Sequence, residues 1–140
     1  MWISFAKTTD AVIMGRKSIT RRDWKVSHAN RFRESQEVDF WDKNPRNYGQ
    51  KMGSIILTRG PHRQNTRKLS YPDDYIAEGL AYMAEVGQLM DGWHPETFFR
   101  RWQEQRVLLF VVEFKLHLLT TAGMSRKIEL EGEDGEEGQG

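Results

Sequence analysis

Apolar and polar residues alternate along several short stretches of the chain, and this period of two predicts β-strands. The alternation is found in Trp2 to Ala6 and in Glu37 to Asp42, while Ser54 to Thr58 has the continuous apolar centre of a buried strand. Lys17 to Arg22 predicts a short and very basic strand. Val107 to Leu119 opens as an unbroken apolar run and ends by alternating apolar with charged residues, which predicts a strand that leaves the core along an edge.

Helical spacing marks the segments between these strands. A short helix is predicted between Thr8 and Gly15, because capping residues precede its apolar run and a glycine ends it. Residues 24–33 space three rings four residues apart, which suits a pair of helical turns. Two further helices are predicted after Pro72 and Pro95, the first with an apolar stripe formed by Leu80, Met83, Val86 and Met90. Strands with inserted helices indicate a small α+β domain with a curved sheet or an open barrel.

The composition fits one domain and excludes several classes of site. The chain has 140 residues, of which 38% are hydrophobic and 29% charged, so it can bury one core. It has no cysteine, which excludes disulfides, thiolate metal sites and a cysteine nucleophile. The four histidines show no metal-ligand spacing, so we expect neither a metal nor a cofactor. No apolar run is long enough to span a membrane and no leader begins the chain, so we expect a cytoplasmic protein without a membrane partner.

The net charge of +1 conceals two regions of opposite sign. Residues 129–140 contain six acidic residues and four glycines, whereas residues 1–128 carry 21 basic and 14 acidic groups. The positive charge is concentrated between Lys7 and Lys68, with 15 basic and six acidic residues. This separation is typical of a polyanion-binding domain that carries an acidic appendage. We therefore expect a domain at residues 1–120 and a disordered, low-complexity acidic tail at residues 121–140.

The segment from Gly15 to Arg22 carries the most informative motif. Its sequence, GRKSITRR, resembles the G-x-K-x-x-E-x-R motif of the ASCH domain, a PUA-like β-barrel family. Thr20 stands where the family has glutamate, a departure shared with the small bacterial N4-acetylcytidine amidohydrolases. Residues 111–116 resemble the closing strand of that branch, and residues 91–95 resemble the turn before it. The resemblance covers roughly residues 3–118 and implies a PUA-like open β-barrel of about five to six strands with inserted helices.

The resemblance also implies a catalytic set of Lys17, Thr20 and Glu78, acting as base, nucleophile and proton donor in amide hydrolysis. A free lysine has a pKa of about 10.4, so a lysine base needs burial or neighbouring positive charge to lower it. Residues three apart on a regular strand point to opposite faces, so Lys17 and Thr20 converge only where Lys17 still lies in the turn after Gly15 or the strand is bulged. The structural alternative is that Lys17 is solvated, Thr20 is an ordinary strand former and Glu78 serves a helix N-terminus.

Aromatic and basic residues interleave in the same half of the chain, which favours binding of RNA or a nucleobase. Single-stranded RNA is usually held by stacking on aromatic rings and by phosphate contacts from basic residues. The alternative is that the tryptophans fill the core. A basic loop predicted at Arg59 to Lys68 is a further candidate phosphate contact. The residues expected at the ligand are Arg16, Arg21, Arg22, Trp24, Trp41, Arg46 and Tyr48.

These observations predict an ASCH domain that binds single-stranded RNA or a modified nucleoside in a basic cleft. The sequence leaves open whether the protein is an enzyme. The motif variant favours a small amidohydrolase that deacylates N4-acylated cytidine, and a single-strand ribonuclease is the other catalytic alternative. A protein-binding adaptor is a further alternative, in which Phe98, Phe99 and Trp102 face a partner. The oligomeric state and the role of the acidic tail stay open.

Overall fold

The computed structural model describes residues 1–139, and it describes the side chains of residues 1–132. The described chain forms five strands and six α-helices, which confirms the expected α+β class. The strands are β1 (Trp2–Ser4), β2 (Ile19–Arg22), β3 (Glu37–Trp41), β4 (Lys51–Asn65) and β5 (Leu108–Leu119). The helices are α1 (Thr9–Ile13), α2 (Val26–Ala29), α3 (Asp73–Ala77), α4 (Leu80–Glu85), α5 (Pro95–Gln105) and α6 (Thr121–Gln139).

The five strands form one mixed sheet in the order β1-β3-β4-β5-β2. β1 runs parallel to β3, and the other neighbouring strands are antiparallel. β1 and β2 are thus the two edges of the sheet, and among the described residues no pairing between them closes a barrel. A side chain joins these edges instead, because Arg22 Nη2 donates a hydrogen bond to the Ser4 carbonyl at 2.7 Å. The barrel implied by the family resemblance is therefore not confirmed.

β4 is much longer than the strand predicted at Ser54 to Thr58. Its second half occupies most of the segment predicted as a basic loop, and only Thr66–Lys68 forms a 3-10 turn there. The polar residues stay extended because β5 pairs with Arg59 and with His62 to Asn65, although the register between the two strands shifts three times. Hydrogen bonds to a neighbouring strand decide this conformation, and the local sequence does not record them.

The core has two parts, one on each side of the segment that carries the motif. The first lies between the sheet, α1 and α6, and it includes the buried side chains of Ile13, Phe40 and Val112. The second lies beneath α3, α4 and α5, and it includes Tyr75 and Phe99. In the apolar stripe predicted after Pro72, Leu80 and Met83 lie in α4, whereas Val86 and Met90 follow it, because α4 ends at Glu85.

The segment expected to be a disordered tail begins with a helix that packs on the sheet. Ala122, Arg126 and Leu130 recur every four residues along α6, and Ala122 and Leu130 contact the first core. Arg126 Nε and Nη2 donate hydrogen bonds to the two carboxylate oxygens of Asp10 at 3.0 and 2.8 Å. This series of three residues is short and is followed by an acidic segment, so the helical pattern is hard to recognise from the sequence. Residues 121–132 are therefore helical rather than disordered, while the domain boundary expected at residue 120 stays a prediction, and the acidic residues after 132 lie outside the described side chains.

Candidate functional site

Lys17 is buried where the chain turns from α1 into β2. The turn begins at Gly15, whose φ of +68° lies in the left-handed region that favours glycine. Ser18 donates its backbone N–H to the Ala77 carbonyl at 2.8 Å, which ties the turn to the end of α3. Lys17 Nζ then donates a hydrogen bond to the Glu78 carbonyl at 2.6 Å. Because β2 begins at Ile19, Lys17 lies in the turn, the condition under which its side chain can approach that of Thr20.

Glu78 reaches Lys17 because a glycine follows it. Gly79 has a φ of +85°, and a Cβ at this position would lie 2.9 Å from Ala11 Cβ and 3.2 Å from Lys17 Cβ. The absence of a side chain therefore lets the α3–α4 turn press against α1 and the motif. The Glu78 carboxylate is buried, and its Oε2 lies 3.9 Å from Lys17 Nζ. The structure thus brings together two residues that are 61 positions apart in the chain.

Arg21 completes a buried polar cluster with Lys17 and Glu78. Its Nη2 donates hydrogen bonds to Gln64 Oε1 at 2.7 Å and to Asp74 Oδ1 at 3.4 Å. Its Nη1 lies 3.7 Å from Glu78 Oε1, which is an ion-pair distance without a hydrogen bond. Arg21 Nε, Arg21 Nη1 and both Glu78 carboxylate oxygens lack a hydrogen-bond partner among the described residues. Most buried polar groups are hydrogen-bonded, so this cluster has unused capacity for polar atoms of a ligand or water.

Burial changes the proton affinities of the paired groups in opposite directions. It lowers the pKa of Lys17 from 10.5 to about 8; Glu78 opposes this shift, while Arg22 and Arg21 add to it. Burial raises the pKa of Glu78, and the three cations counteract that rise. A lysine with a pKa of about 8 releases its proton close to neutral pH, which is a requirement for general-base chemistry.

Thr20 is held by Arg22 rather than by Lys17 or Glu78. The two residues are two positions apart on β2 and therefore point to the same face. Arg22 Nε donates a hydrogen bond to Thr20 Oγ1 at 3.0 Å, and its guanidinium lies 5.3 Å from the centre of the Phe5 ring. Among the described residues, this is the hydrogen bond of the Thr20 side chain. Of the implied catalytic set, Lys17 and Glu78 are thus in contact with each other, whereas the Thr20 hydroxyl is bound to Arg22.

Arg22 also forms part of an open cleft between the two sheet edges. The cleft has a volume of about 350 Å³. Trp24 stacks on Phe32 with ring centroids 4.6 Å apart, and this packing against the core holds its indole in place. The described lining contains no carboxylate side chain and consists of Met1, Trp2, Ile3, Ser4, Arg22, Trp24, His28 and Arg31.

No protein-family model matches this chain, and no curated protein matches it. A solved structure with a similar fold is that of protein EF3133 from Enterococcus faecalis V583, described by the family model DUF984. It is 21% identical to this chain, and the match covers 83% of this chain and 73% of that chain with a TM-score of 0.51. Similarity at this level supports the α+β fold alone. The ASCH resemblance stays a prediction from the motif.

The other residues expected at a ligand do not line the cleft. Arg16 forms two hydrogen bonds with Glu85, at 3.0 and 2.6 Å. Trp41 is half-buried at the end of β3. Arg46 and Tyr48 lie on the loop that follows, and 92% of Tyr48 is exposed. The structure therefore assigns Arg21 to the buried cluster and Arg22 and Trp24 to the cleft, but leaves these four outside both.

Sequence reasoning missed several residues that complete these sites. Gln64 and Asp74 contact Arg21 across 43 and 53 residues of chain, and no local pattern signals such a pairing. Trp2 and Arg31 belong to the cleft because β1 and α2 meet beside β2. In the sequence, Trp2 and Arg31 were indicated by residue type alone, as an aromatic residue in a predicted strand and a basic residue in a predicted helical segment.

Two negative findings hold for the described part of the chain. It contains no group of three or more histidine, aspartate or glutamate side chains arranged to hold a metal ion. None of its helices combines the length and the apolar character needed to cross a membrane.

Proposed function

We propose that the cleft between β1 and β2 binds a nucleoside or a base of single-stranded RNA. The observation that carries this proposal is that two tryptophans and two arginines line one cleft that presents no carboxylate side chain. Aromatic rings stack on bases of any sequence, and arginines contact phosphates or stack on bases themselves. A volume of about 350 Å³ suits a ligand the size of a nucleoside.

A matched pair of tryptophan substitutions tests the proposal. Trp2 lines the cleft and Trp93 lies elsewhere, yet both are 44% exposed. Because stacking contributes about 1–3 kcal/mol per base, we expect Trp2→Ala to weaken binding of a fluorescently labelled RNA by about 5- to 150-fold. Trp93→Ala should leave the affinity close to that of the wild type. Fluorescence anisotropy measures both.

Two controls sharpen this experiment. Binding through arginines should weaken steeply as salt is raised, since each phosphate contact releases counterions. Equal losses in the two tryptophan variants, or binding that does not change with salt, would contradict the proposal. A denaturing gel of the recovered RNA shows in the same samples whether the strand is cut, which would indicate the ribonuclease alternative.

The buried Lys17–Glu78 pair favours a second candidate, an amidohydrolase that acts on N4-acetylcytidine. In the reaction implied by the resemblance, Thr20 Oγ attacks the acetyl carbon and Lys17 takes the hydroxyl proton. The C–N bond breaks, Glu78 protonates the leaving N4 atom, and water hydrolyses the acetyl ester to acetate. This route requires Arg22 to release Thr20, because the cleft does not reach the hydroxyl in the observed arrangement.

Chromatography of N4-acetylcytidine incubated with the protein tests the second candidate. Cytidine should form, and the dependence of kcat/KM on pH should be bell-shaped, because turnover needs Lys17, with a pKa of about 8, without its proton and Glu78 with its proton. Lys17→Met and Glu78→Gln should each abolish turnover, whereas Arg16→Gln changes an arginine outside the cluster and should not. Turnover that survives in Lys17→Met would refute this role.

A further inference from the structure

The cleft concentrates positive charge that its own residues do not neutralise. Arg31 is exposed at the cleft, and no ion pair holds it among the described residues. Arg22 uses Nε and Nη2 for protein contacts, while its Nη1 donates to no described residue. Both guanidinium groups therefore keep donors for a ligand, and His28 adds an imidazole to the lining.

The present partners of Arg22 are neutral oxygens. Ser4 contributes a backbone carbonyl and Thr20 a hydroxyl, at 2.7 and 3.0 Å. An anionic oxygen attracts the guanidinium more strongly than a neutral carbonyl or hydroxyl oxygen does, because its negative charge adds a Coulomb attraction to the hydrogen bond. An anion in the cleft would therefore compete well for this guanidinium, and the planar group can engage a phosphate with two parallel donors.

We propose that the cleft selects a phosphorylated ligand, a nucleotide in which the base stacks on tryptophan and the phosphate binds Arg31 and Arg22. This inference rests on the proposed function and narrows it, because a neutral nucleoside would leave both arginines without an anion. A phosphate that draws Arg22 away from Thr20 would also free the Thr20 hydroxyl. The phosphate belongs either to a mononucleotide or to an RNA chain, which share this chemistry.

Calorimetric titration of paired ligands tests the inference. The probes are cytidine, uridine, adenosine and guanosine, their 5′-monophosphates, inorganic phosphate and an RNA octamer. For the base that binds, we expect the monophosphate to bind at least about tenfold more tightly than its nucleoside, because a charge-assisted contact contributes about 1.5–3 kcal/mol. Arg31→Gln should remove this advantage, so that the monophosphate binds no more tightly than its nucleoside. The control, Arg33→Gln, removes the same charge from an exposed residue outside the lining and should retain the advantage.

Each outcome has a distinct meaning. Equal affinity for a nucleoside and its monophosphate, or inorganic phosphate that binds as tightly as the nucleotide, overturns the inference while nucleoside binding still supports the proposed function. Failure of all the nucleosides, nucleotides and the octamer to bind refutes the proposed function itself. Tighter binding of the octamer than of any monophosphate, with the same dependence on Arg31, supports the inference and assigns the phosphate to an RNA chain.

Discussion

Replacing Lys17 with methionine removes a buried ammonium group whose charge should make the stability of this protein depend on pH. Its pKa is about 8 in the folded protein and 10.5 when exposed. Since the folded value is the lower one, the unfolded chain binds the extra proton between these two pH values. The free energy of unfolding therefore rises with pH across this interval. At about 1.4 kcal/mol per pH unit, the contribution of Lys17 amounts to about 2–3 kcal/mol between pH 7 and pH 10.

Urea denaturation followed by tryptophan fluorescence at pH 7, 8, 9 and 10 measures this contribution. We expect the stability of the wild type, relative to Lys17→Met, to increase by about 2–3 kcal/mol over the series. The comparison is between slopes, because the variant also loses the hydrogen bond to Glu78 and its absolute stability combines several effects. Lys25→Met changes an exposed lysine and should follow the wild type. Parallel curves for the wild type and Lys17→Met would show that Lys17 is not a buried cation.

Two further substitutions test the packing that positions the site. Leu130 is 6% exposed, so Leu130→Ala should lower the free energy of unfolding by about 2–4 kcal/mol. Ile128 on the same helix is 63% exposed, so Ile128→Ala should lower it by less than about 1 kcal/mol. Urea denaturation measures both variants, and equal effects would contradict the docking of α6. Gly79 and Gly87 both have a positive φ, so an alanine at either position should cost about 1–2 kcal/mol of backbone strain. Gly79→Ala should destabilise the protein further, because its Cβ would lie 2.9 Å from Ala11 Cβ, whereas a Cβ at Gly87 meets no atom within 4 Å. Thermal unfolding compares the two variants, and equal decreases of the unfolding temperature would refute the close approach at Gly79.

Short-range sequence signals predicted those helices and strands whose first or last residue is determined by neighbouring residues. α5 begins at Pro95 as predicted, since His94 accepts a hydrogen bond from the Glu96 N–H and the proline needs no partner for its nitrogen. β5 runs from Leu108 to Leu119, one residue shorter than predicted, because its apolar run has no competing helical pattern. Gly15 closes the segment of α1 through its positive φ.

Elements that depend on distant partners were predicted poorly. The polar half of β4 was expected to be a loop, but β5 supplies hydrogen bonds that hold it extended. The start of α6 was expected to be disordered, since a stripe of Ala122, Arg126 and Leu130 is weak on its own. It becomes stable because Asp10 and the first core lie where that stripe docks. In both cases the stabilising contact comes from far along the chain.

The sequence by itself determined the charge segregation, the α+β class and the alternation that places Thr20 and Arg22 on one face of β2. The motif further led to the expectation that Lys17 and Glu78 share a site, through a family resemblance rather than through geometry. Only the tertiary structure decided which groups touch. Gly79 lets Glu78 reach Lys17, and the approach of β1 to β2 brings the Ser4 carbonyl to Arg22 and creates the cleft. Such contacts depend on how elements pack in space, and spacing along the chain carries no record of that packing.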